Sequence, residues 1–310
     1  MNVLWIKDNN IGHEKQVRVL LEELSKQIKL NIDERSIKGI FPIYSYLSDV
    51  KEKYYDLVIG AGHKTYGLLL DTRKYQKNNC KSIAILAPTF KRDKFDIICS
   101  PIHDSKKLKD LNNVIYYEGS LSKVSLKETD NNTVMVAIGG KNNHYKFNEE
   151  HILSQIDYFI SLNSSKYCYL FNSRRTSTTF NKRIYDLVKN NPNTKFIDFN
   201  SNSPTSFESI LHKSSMKLIT RDSVNMVYES LSSMGETYLM DMKAKKNDGK
   251  VVKIINKLID DKKVGFVNCE DIITGISKIK LSKQNTYNEV FAEVEKVAFE
   301  INKVICRSFI

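Results

Sequence analysis

The sequence predicts an α/β protein made of two doubly wound domains, each built on a parallel sheet. Short apolar runs alternate with helical patterns along the chain, and several runs are apolar throughout, as strands buried on both faces are. A chain of 310 residues is also longer than one hydrophobic core usually fills. The polar segment 121–132 separates two such alternating series, so we expect it to join the domains.

The predicted strands are spaced by stretches long enough for the crossover connections that parallel neighbours need. Four precede the joining segment and five follow it. They are 3–6, 56–61, 82–87, 95–100, 133–140, 167–173, 194–199, 216–220 and 237–242.

Two helices are predicted from apolar stripes near the ends of the chain. In the first, four residues recur at i, i+3, i+4 and i+7, namely Val17, Leu20, Leu21 and Leu24. The last helix is predicted to begin with a capping box of Thr286 and Glu289. Its stripe comprises Val290, Phe291, Val294, Val297, Ala298, Ile301, Val304 and Ile305.

The composition is that of a globular chain with an excess of basic residues. Hydrophobic residues make up 41% and charged residues 27%, which excludes collagen, a disulfide scaffold and a wholly disordered chain. The formal charge of +12 favours phosphate-bearing ligands or an anionic membrane surface, although a Lys- and Asn-rich composition alone produces the same excess. The basic residues are scattered, so no nucleic-acid partner is expected.

The cysteines and the first residues indicate the compartment. Five cysteines, odd in number, far apart and without a CxxC pair, predict reduced thiols rather than metal ligands or disulfides, with Cys99 and Cys168 buried in strands. Lys7 and Asp8 interrupt the first apolar run, and no stretch approaches the roughly 18 apolar residues that span a bilayer. We therefore expect a cytoplasmic protein, soluble or peripheral on the inner face of the cytoplasmic membrane.

Polar residues follow the strands of the first domain, where ligands of open parallel sheets bind. Gly12 would leave helix amides open to a ligand, His13 is a candidate general base, and Asp8 would orient or replace it. Two further clusters would contact a hydroxyl-rich or anionic ligand: Gly62, His63, Lys64, Thr65, His103 and Asp104. Histidines after three strands also suggest a metal, but their spacing matches no metal motif and none is expected. The alternative is that all are turn and helix-start residues.

The second domain carries residues suited to a phosphate-bearing ligand. Gly139 and Gly140, followed by Lys141, would let backbone amides meet a phosphate. Arg174 and Arg175 suit a diphosphate, because a guanidinium binds phosphate through two hydrogen bonds. Hydroxyl groups flank this arginine pair at Ser173 and Thr176.

A third segment of this domain would point a helix N-terminus at an anion. Asp222 or Ser223 is predicted to cap the helix, and its dipole contributes roughly 0.3–1 kcal/mol toward binding. Glu229 would accept hydrogen bonds from ribose hydroxyls, or it is an ordinary helix carboxylate. Thr220 and Met226 complete the predicted donor-side set.

The chain resembles a known family, the ELM family, in six ordered runs that cover nearly its whole length. The family comprises plant mitochondrial-fission ELM proteins and many bacterial proteins classed as glycosyltransferases, some linked to lipopolysaccharide outer core. The runs are WIKDNNIGHEKQ (5–16), DLVIGAGHKT (56–65), FDIICSPIHD (95–104), AIGG (137–140), SRRT (173–176) and TRDSVNMVYE (220–229).

The resemblance implies a GT-B architecture, in which two Rossmann-like domains face a central cleft. It implies an acceptor-side domain over 1–125, a nucleotide-sugar domain over 130–283, and a final helix within 284–310 that packs back on the first domain. It further implies transfer of a sugar from a nucleotide-sugar donor to a glycan or lipid-linked acceptor such as lipopolysaccharide core. We expect no cofactor or metal in that reaction.

Three positions depart from the family pattern. Asn9 stands where Gly is usual in D-G-x-x-G-H, and Arg221 replaces the acidic residue of T-E-D-S. The segment 241–249 lacks the expected Gly-Lys-Pro turn. The extra charge of Arg221 is expected to alter donor preference or membrane contact.

Two other functions stay open on the sequence. One is a non-catalytic binding or recruitment protein of the same fold, as the plant relatives suggest. The other is an epimerase that acts on a nucleotide sugar without transfer. The polar residues after the strands of both domains favour an enzyme.

Overall fold

The computed structural model describes residues 1–37, 50, 53–76, 80–271, 277–285 and 289–306. The chain forms two compact units: unit 1 contains Met1–Lys123 and Ala292–Ile310, and unit 2 contains Val124–Phe291. The chain first passes between units within the polar segment 121–132. It passes back after Phe291 rather than near residue 284, because the Phe291 amide donates to Leu231 O at 3.0 Å inside unit 2.

Unit 1 is built on a parallel sheet in the order β2-β1-β3-β4-β5-β6. Its strands are β1 Asn2–Lys7, β2 Asn31–Ser36, β3 Leu57–Ala61, β4 Lys81–Ile85, β5 Ile97–Pro101 and β6 Val114–Tyr117. β3 and β5 are buried along their whole length, which explains their continuous apolar sequences. The sequence does not predict β2, because this edge strand is largely exposed and reads NIDERS.

Unit 2 is built on a sheet in the order β13-β12-β11-β10-β7-β8-β9. Its strands are β7 Asp130–Ala137, β8 Tyr167–Phe171, β9 Thr194–Ile197, β10 Ser214–Ile219, β11 Glu236–Leu239, β12 Gly265–Asp271 and β13 Ser277–Ser282. Neighbours are parallel except for the edge pair β12–β13, which the sequence does not predict. Along β7, Val134 and Val136 pack into one apolar cluster and Met135 and Ala137 into another, so both faces of the sheet are covered.

The helices are α1 Ile11–Ser25, α2 His63–Tyr75, α3 Glu149–Leu162, α4 Thr178–Lys189, α5 Phe207–Lys213, α6 Val224–Leu231, α7 Lys250–Asp260 and α8 Glu293–Cys306. Asn or Ser side chains cap the N-termini of α1, α3, α4 and α5 by accepting from a first-turn amide. Among the described residues, we find no helix that is both long and apolar enough to cross a membrane.

The two helices predicted from apolar stripes are present. The four apolar residues of the α1 stripe are all buried, as predicted. α8 contacts α1 and β6, but it begins later than predicted, so Val290 and Phe291 precede it. Val304 is 40% exposed and lies outside the buried stripe. Thr286, half of the predicted capping box, lies outside the described residues.

The predicted class, two parallel-sheet α/β domains, is confirmed, but several strands end two or three residues earlier than predicted. β4 ends at Ile85, β7 at Ala137, β8 at Phe171 and β11 at Leu239. Residues just beyond these ends therefore stand in connections at the carboxyl edge of a sheet. Ligands of open parallel sheets bind at this edge.

Candidate functional site

An aspartate–histidine pair stands at the carboxyl edge of the unit 1 sheet. Asp8 directly follows β1, and His13 lies in the first turn of α1. His13 Nδ1 lies 2.7 Å from Asp8 Oδ2. Because a carboxylate accepts hydrogen bonds, this contact favours the tautomer with a proton on Nδ1, which leaves Nε2 to face a ligand. The Asp8 side chain is 8% exposed and that of His13 27%, which makes the histidine the accessible member of the pair.

Gly62, contributed by the neighbouring β3–α2 turn, adjoins this pair. Its φ is +89°, a conformation that L residues rarely adopt. A Cβ there would lie 2.5 Å from Asp8 Oδ2 and 2.6 Å from His13 Nδ1. Three of the predicted site residues are thus brought together, and the space between them suits only glycine.

Asn9 explains one departure from the family pattern. Its φ is +64°, in the left-handed region that glycine adopts most readily and that asparagine tolerates. The Asn9 side chain also donates to Ile37 O at 3.1 Å. The substitution therefore preserves the turn between β1 and α1.

Two predicted acceptor-side residues support these turns instead of facing a ligand. The Gly12 amide donates to Asn10 Oδ1 at 3.0 Å, so it is not open as predicted. Thr65 is fully buried, its hydroxyl donates to Gly62 O at 2.9 Å, and its side chain packs against Gly60. Both residues help to hold the Asp8–His13 pair.

His63 and Lys64 lie on the surface at the start of α2. Both are exposed, and His63 Nδ1 lies 2.8 Å from Thr89 Oγ1. Within the described ranges, His13, His63 and His103 do not converge on a metal-sized site. This part of the edge offers hydrogen-bonding groups without a metal cluster of these histidines.

Asp104 shares the edge with Asp8. Burial, together with the charges of these two carboxylates, raises the pKa of Tyr66, whose hydroxyl donates to Ile85 O. His103 Nε2 lies 3.9 Å from Asp104 Oδ2, beyond hydrogen-bonding distance. Asp104 instead pairs with Lys107, whose Nζ lies 2.9 Å from Asp104 Oδ1.

In unit 2, neighbouring connections enclose the paired glycines after β7. The Gly139 amide donates to Thr220 Oγ1 at 2.7 Å and the Gly140 amide to Asp222 Oδ2 at 3.3 Å. A Cβ at Gly139 would collide with the Asp222 carboxylate, and one at Gly140 with the backbone carbonyl of Arg175. The structure contradicts the prediction that these amides meet a phosphate, because both have partners within the protein.

The two adjacent arginines have different surroundings. Arg175 Nη1 pairs with Asp222 Oδ2 at 2.7 Å, where the Asp222 side chain is fully buried and that of Arg175 is 40% exposed. Arg174 is exposed, as is Lys141. The hydroxyls of Ser173 and Thr176 both donate to the carbonyl oxygen of Gly139 and fix the turn. Arg174 is therefore the better placed of the two arginines to meet a ligand.

The start of α6 lacks the predicted side-chain cap. Ser223 occupies the N-cap position without a side-chain hydrogen bond to the first turn, and Asp222 points instead to the ion pair described above. Since the Ser223 side chain does not cap the first-turn amides, the helix start favours an anion. Met226 and Glu229 are half-buried farther along the helix.

Arg221 is buried, so its charge faces neither a donor nor a membrane as we expected. Its Nε donates to Met240 O at 2.9 Å and its Nη2 to Asp241 Oδ1 at 2.7 Å. The guanidinium also lies over the rings of Tyr145 and Phe266. Burial lowers the pKa of Arg221, and the Asp241 charge opposes that shift.

Asp241 also belongs to a group of potential metal ligands that the sequence analysis misses. His151 at the start of α3, Asp241 after β11 and Cys269 in β12 offer ligand atoms within 4.8 Å of one another. The position of Asp241 after a strand is the one available signal, and the overlong predicted strand 237–242 hides it. The other two residues lie too far away along the chain to form a motif.

The two α/β units, each with a mainly parallel sheet and polar connections at its carboxyl edge, have the GT-B fold. The chain belongs to the mitochondrial fission ELM1 family, whose profile matches residues 11–305. The uncharacterized protein RP120 of Rickettsia prowazekii (strain Madrid E) is 23% identical over 362 aligned residues, which cover 98% of this chain and 100% of RP120. The resemblance found in the sequence is confirmed.

Solved structures show the same fold at low identity. The UDP-GlcNAc 2-epimerase of Methanocaldococcus jannaschii matches with a TM-score of 0.56 and 11% identity, over 98% of this chain and 100% of the epimerase. The E. coli ADP-heptose lipopolysaccharide heptosyltransferase II matches with a TM-score of 0.52 and 9% identity, over 100% of both chains. These similarities establish the architecture and leave the reaction to be argued from the site.

Proposed function

We propose that the chain is a metal-independent glycosyltransferase that moves a sugar from a nucleotide-sugar donor to a glycan or lipid-linked acceptor such as lipopolysaccharide core. The observation that carries the proposal is the Asp8–His13 pair, with its 2.7 Å contact beside a glycine whose Cβ would collide with it. An accessible imidazole oriented by a carboxylate suits a general base. The fold, shared with a heptosyltransferase for ADP-heptose, supports a nucleotide-sugar substrate.

In this reaction His13 Nε2 takes the proton of the acceptor hydroxyl while the acceptor oxygen attacks the sugar carbon that bears the diphosphate. The bond to the nucleoside diphosphate breaks, and the diphosphate leaves with the electron pair. Asp8 holds the imidazole in the tautomer that keeps Nε2 basic, and it stabilises the imidazolium that forms. General-base assistance of this kind contributes about 10²–10⁴ in rate.

The nucleoside diphosphate would bind at the carboxyl edge of unit 2. Exposed Arg174 and Lys141 provide positive charge there, and the start of α6 provides amides that the Ser223 side chain does not cap. These groups would stabilise the leaving diphosphate in place of a metal ion. Glu229, on the same helix, would bind ribose hydroxyls.

We place the protein in the cytoplasm, in reversible contact with the inner face of the cytoplasmic membrane. The formal charge of +12 supports this location, since a basic residue near an anionic leaflet contributes roughly 1 kcal/mol. Binding to anionic vesicles should weaken as salt is added. Failure to bind such vesicles at low salt would count against a lipid-linked acceptor.

A non-catalytic binding protein is the second candidate, and one observation favours it. Thr220 and Asp222 occupy both glycine amides after β7, and Asp222 also pairs with Arg175. A recruitment protein that no longer binds a donor would tolerate such a closed loop. The alternative predicts a folded protein without nucleotide affinity.

The test is turnover of nucleotide sugars with glycan and glycolipid acceptors, in the presence of a chelator, by the wild type and His13→Ala. We expect an acceptor-linked product whose rate falls about 10²–10⁴-fold in the variant, with nucleotide affinity unchanged. Equal loss of turnover and affinity would contradict the base assignment. Free sugar isomers without acceptor product would identify an epimerase.

A further inference from the structure

We infer that unit 2 carries a transition-metal site formed by His151, Asp241 and Cys269, suited to Zn²⁺. The inference goes beyond the proposed transfer and does not depend on it. His151 Nε2 lies 3.4 Å from Asp241 Oδ2, and the ligand atoms of all three residues lie within 4.8 Å of one another. Ligand atoms around a tetrahedral zinc ion are about 3.3–3.7 Å apart. A small movement of the three side chains toward one another would therefore complete the site.

The mixture of ligand types selects the metal. An imidazole nitrogen, a carboxylate oxygen and a thiolate sulfur together match zinc, whereas Mg²⁺ and Ca²⁺ take oxygen ligands. Three protein ligands leave the fourth position to water, as in zinc sites that are open rather than closed. The His151 and Asp241 side chains are 33% and 30% exposed, so an ion can enter from solvent.

A buried glutamine fixes two of the three ligand-bearing segments. Gln155 is fully buried on α3, and its Nε2 donates to His151 O at 2.9 Å and to Asp241 O at 3.0 Å. Its Oε1 accepts from the Asp241 amide at 2.6 Å. One side chain therefore ties the start of α3 to the connection after β11, in the way that outer residues orient metal ligands.

The strand β12 carries the third ligand to the same place. Its last pair with β11 joins Leu239 to Phe266, and β12 then continues beyond the end of β11. Cys269 therefore lies beside the connection that contains Asp241. Three separate elements converge, which explains why the sequence shows no motif.

Arg221 is the charged neighbour of the site. It donates to Asp241 Oδ1 at 2.7 Å, which leaves Asp241 Oδ2 facing His151. Ligating carboxylates are commonly hydrogen-bonded through their second oxygen in this way. When the ion binds, the Cys269 thiol loses its proton to solvent, so the thiolate and the carboxylate together set two negative charges against the three positive charges of Zn²⁺ and Arg221.

The test uses Co²⁺, which replaces zinc and absorbs light. Reduced, chelator-stripped full chain is titrated with Co²⁺ and then with competing Zn²⁺. We expect a cobalt–thiolate charge-transfer band at one equivalent that Zn²⁺ abolishes. The band should be lost in Cys269→Ser and retained in Cys306→Ser, which removes an exposed thiol of unit 1. His151→Ala should weaken Co²⁺ binding by more than about 100-fold, since even outer-residue changes cost 10–100-fold, and His144→Ala should not.

Circular dichroism and the Tm of each variant establish that it is folded. The absence of a band in reduced wild-type protein would overturn the inference. So would a band that persists in Cys269→Ser, or affinity unchanged in His151→Ala. Because the readout is metal binding, such a failure would leave the proposed transfer untouched.

Discussion

The charged residues at the carboxyl edges of the two units differ in how far they are exposed. In unit 1, Asp8 pairs with His13, and 27% of the histidine side chain remains exposed. In unit 2, the carboxylate of Asp222 is fully buried against Arg175, and Arg221 is buried against Asp241. The unit 1 edge presents an accessible imidazole, whereas the unit 2 edge encloses Asp222 and Arg221 in ion pairs.

This difference indicates that a charged residue after a strand can stay accessible or be enclosed in an ion pair. Polar residues after parallel strands mark the edge where ligands bind. Their partners decide whether each residue remains available to a ligand. The comparison predicts that a change at Gly62 in unit 1 destabilises the protein through strain against the Asp8–His13 pair. A change at Asp222 in unit 2 should destabilise it by leaving buried groups without partners.

The largest stability effect is expected at Gly62. Gly62→Ala would place a Cβ 2.5 Å from Asp8 Oδ2 in a positive-φ backbone, which should cost about 3 kcal/mol from strain and overpacking together. Gly67→Ala is the matched control, because its Cβ would meet nothing within 4 Å in the middle of α2. Denaturant unfolding should show the control unchanged or stabilised by up to about 1 kcal/mol. Equal changes in the free energy of unfolding for the two variants would contradict the claim that only glycine fits at position 62.

The next effect tests the closed ion pair of unit 2. Asp222→Ala should lower the free energy of unfolding by about 2 kcal/mol, because it leaves the buried Gly140 amide without its acceptor and Arg175 without its carboxylate. The ion pair itself contributes little to the free energy of unfolding, because the Arg175 side chain is 40% exposed. The control is Asp186→Ala, which removes an exposed pair with Lys189 and should change little. Similar losses in both variants would mean that burial of Asp222 does not matter.

A smaller effect concerns a buried lysine of unit 2. Lys217 is fully buried in β10, where its amine donates to Ser230 O and Met234 O, and burial lowers its pKa to about 7. Between about pH 7 and pH 10 the unfolded chain holds a proton that the folded chain has lost, so stability should rise with pH. The slope from this group is at most about 1.4 kcal/mol per pH unit.

Unfolding of the wild type and Lys217→Met at several pH values isolates that slope. The wild type should gain more stability than the variant from pH 7 to pH 9, and the two should run parallel below pH 6. Parallel curves over the whole range would show that Lys217 stays charged within the fold. In that case unit 2 would bury a charged lysine that has no carboxylate partner among its hydrogen-bond acceptors.

Much of unit 1's edge could be predicted from the sequence, because its residues stand directly after apolar strands. Asp8, His13 and Gly62 are found this way, and the structure brings them into contact. The edge strand β2 and the β12–β13 pair could not be predicted, since they lack continuous apolar runs. The edge strand β6 is also missing from the prediction, because its apolar run VIYY is only four residues long. Partners across the sheet, such as Thr220 and Asp222 on the glycine amides, depend on tertiary packing that no local pattern records.

The misplaced strand ends had a specific consequence in unit 2. Extending β11 to residue 242 hid Asp241, which in fact anchors Arg221 and faces His151. The sequence predicts that the charge of Arg221 is available to a ligand, yet its carboxylate partner Asp241 lies 20 residues later in the chain. Net charge along a sequence therefore indicates partners only after internal pairing is known.

The central proposal is that the carboxyl edge of unit 2 binds the nucleotide while His13 of unit 1 acts as the base. Nucleotide binding in the absence of metal tests it most directly. A thermal-shift panel of nucleoside phosphates and nucleotide sugars, with chelator, is run on the wild type, His13→Ala and Arg174→Ala. We predict that one nucleotide stabilises the wild type and His13→Ala alike, by about 2.7 kcal/mol at 100 times its Kd, and that Arg174→Ala loses the response. A flat panel on folded protein, or equal loss in both variants, would contradict the account and favour a recruitment protein.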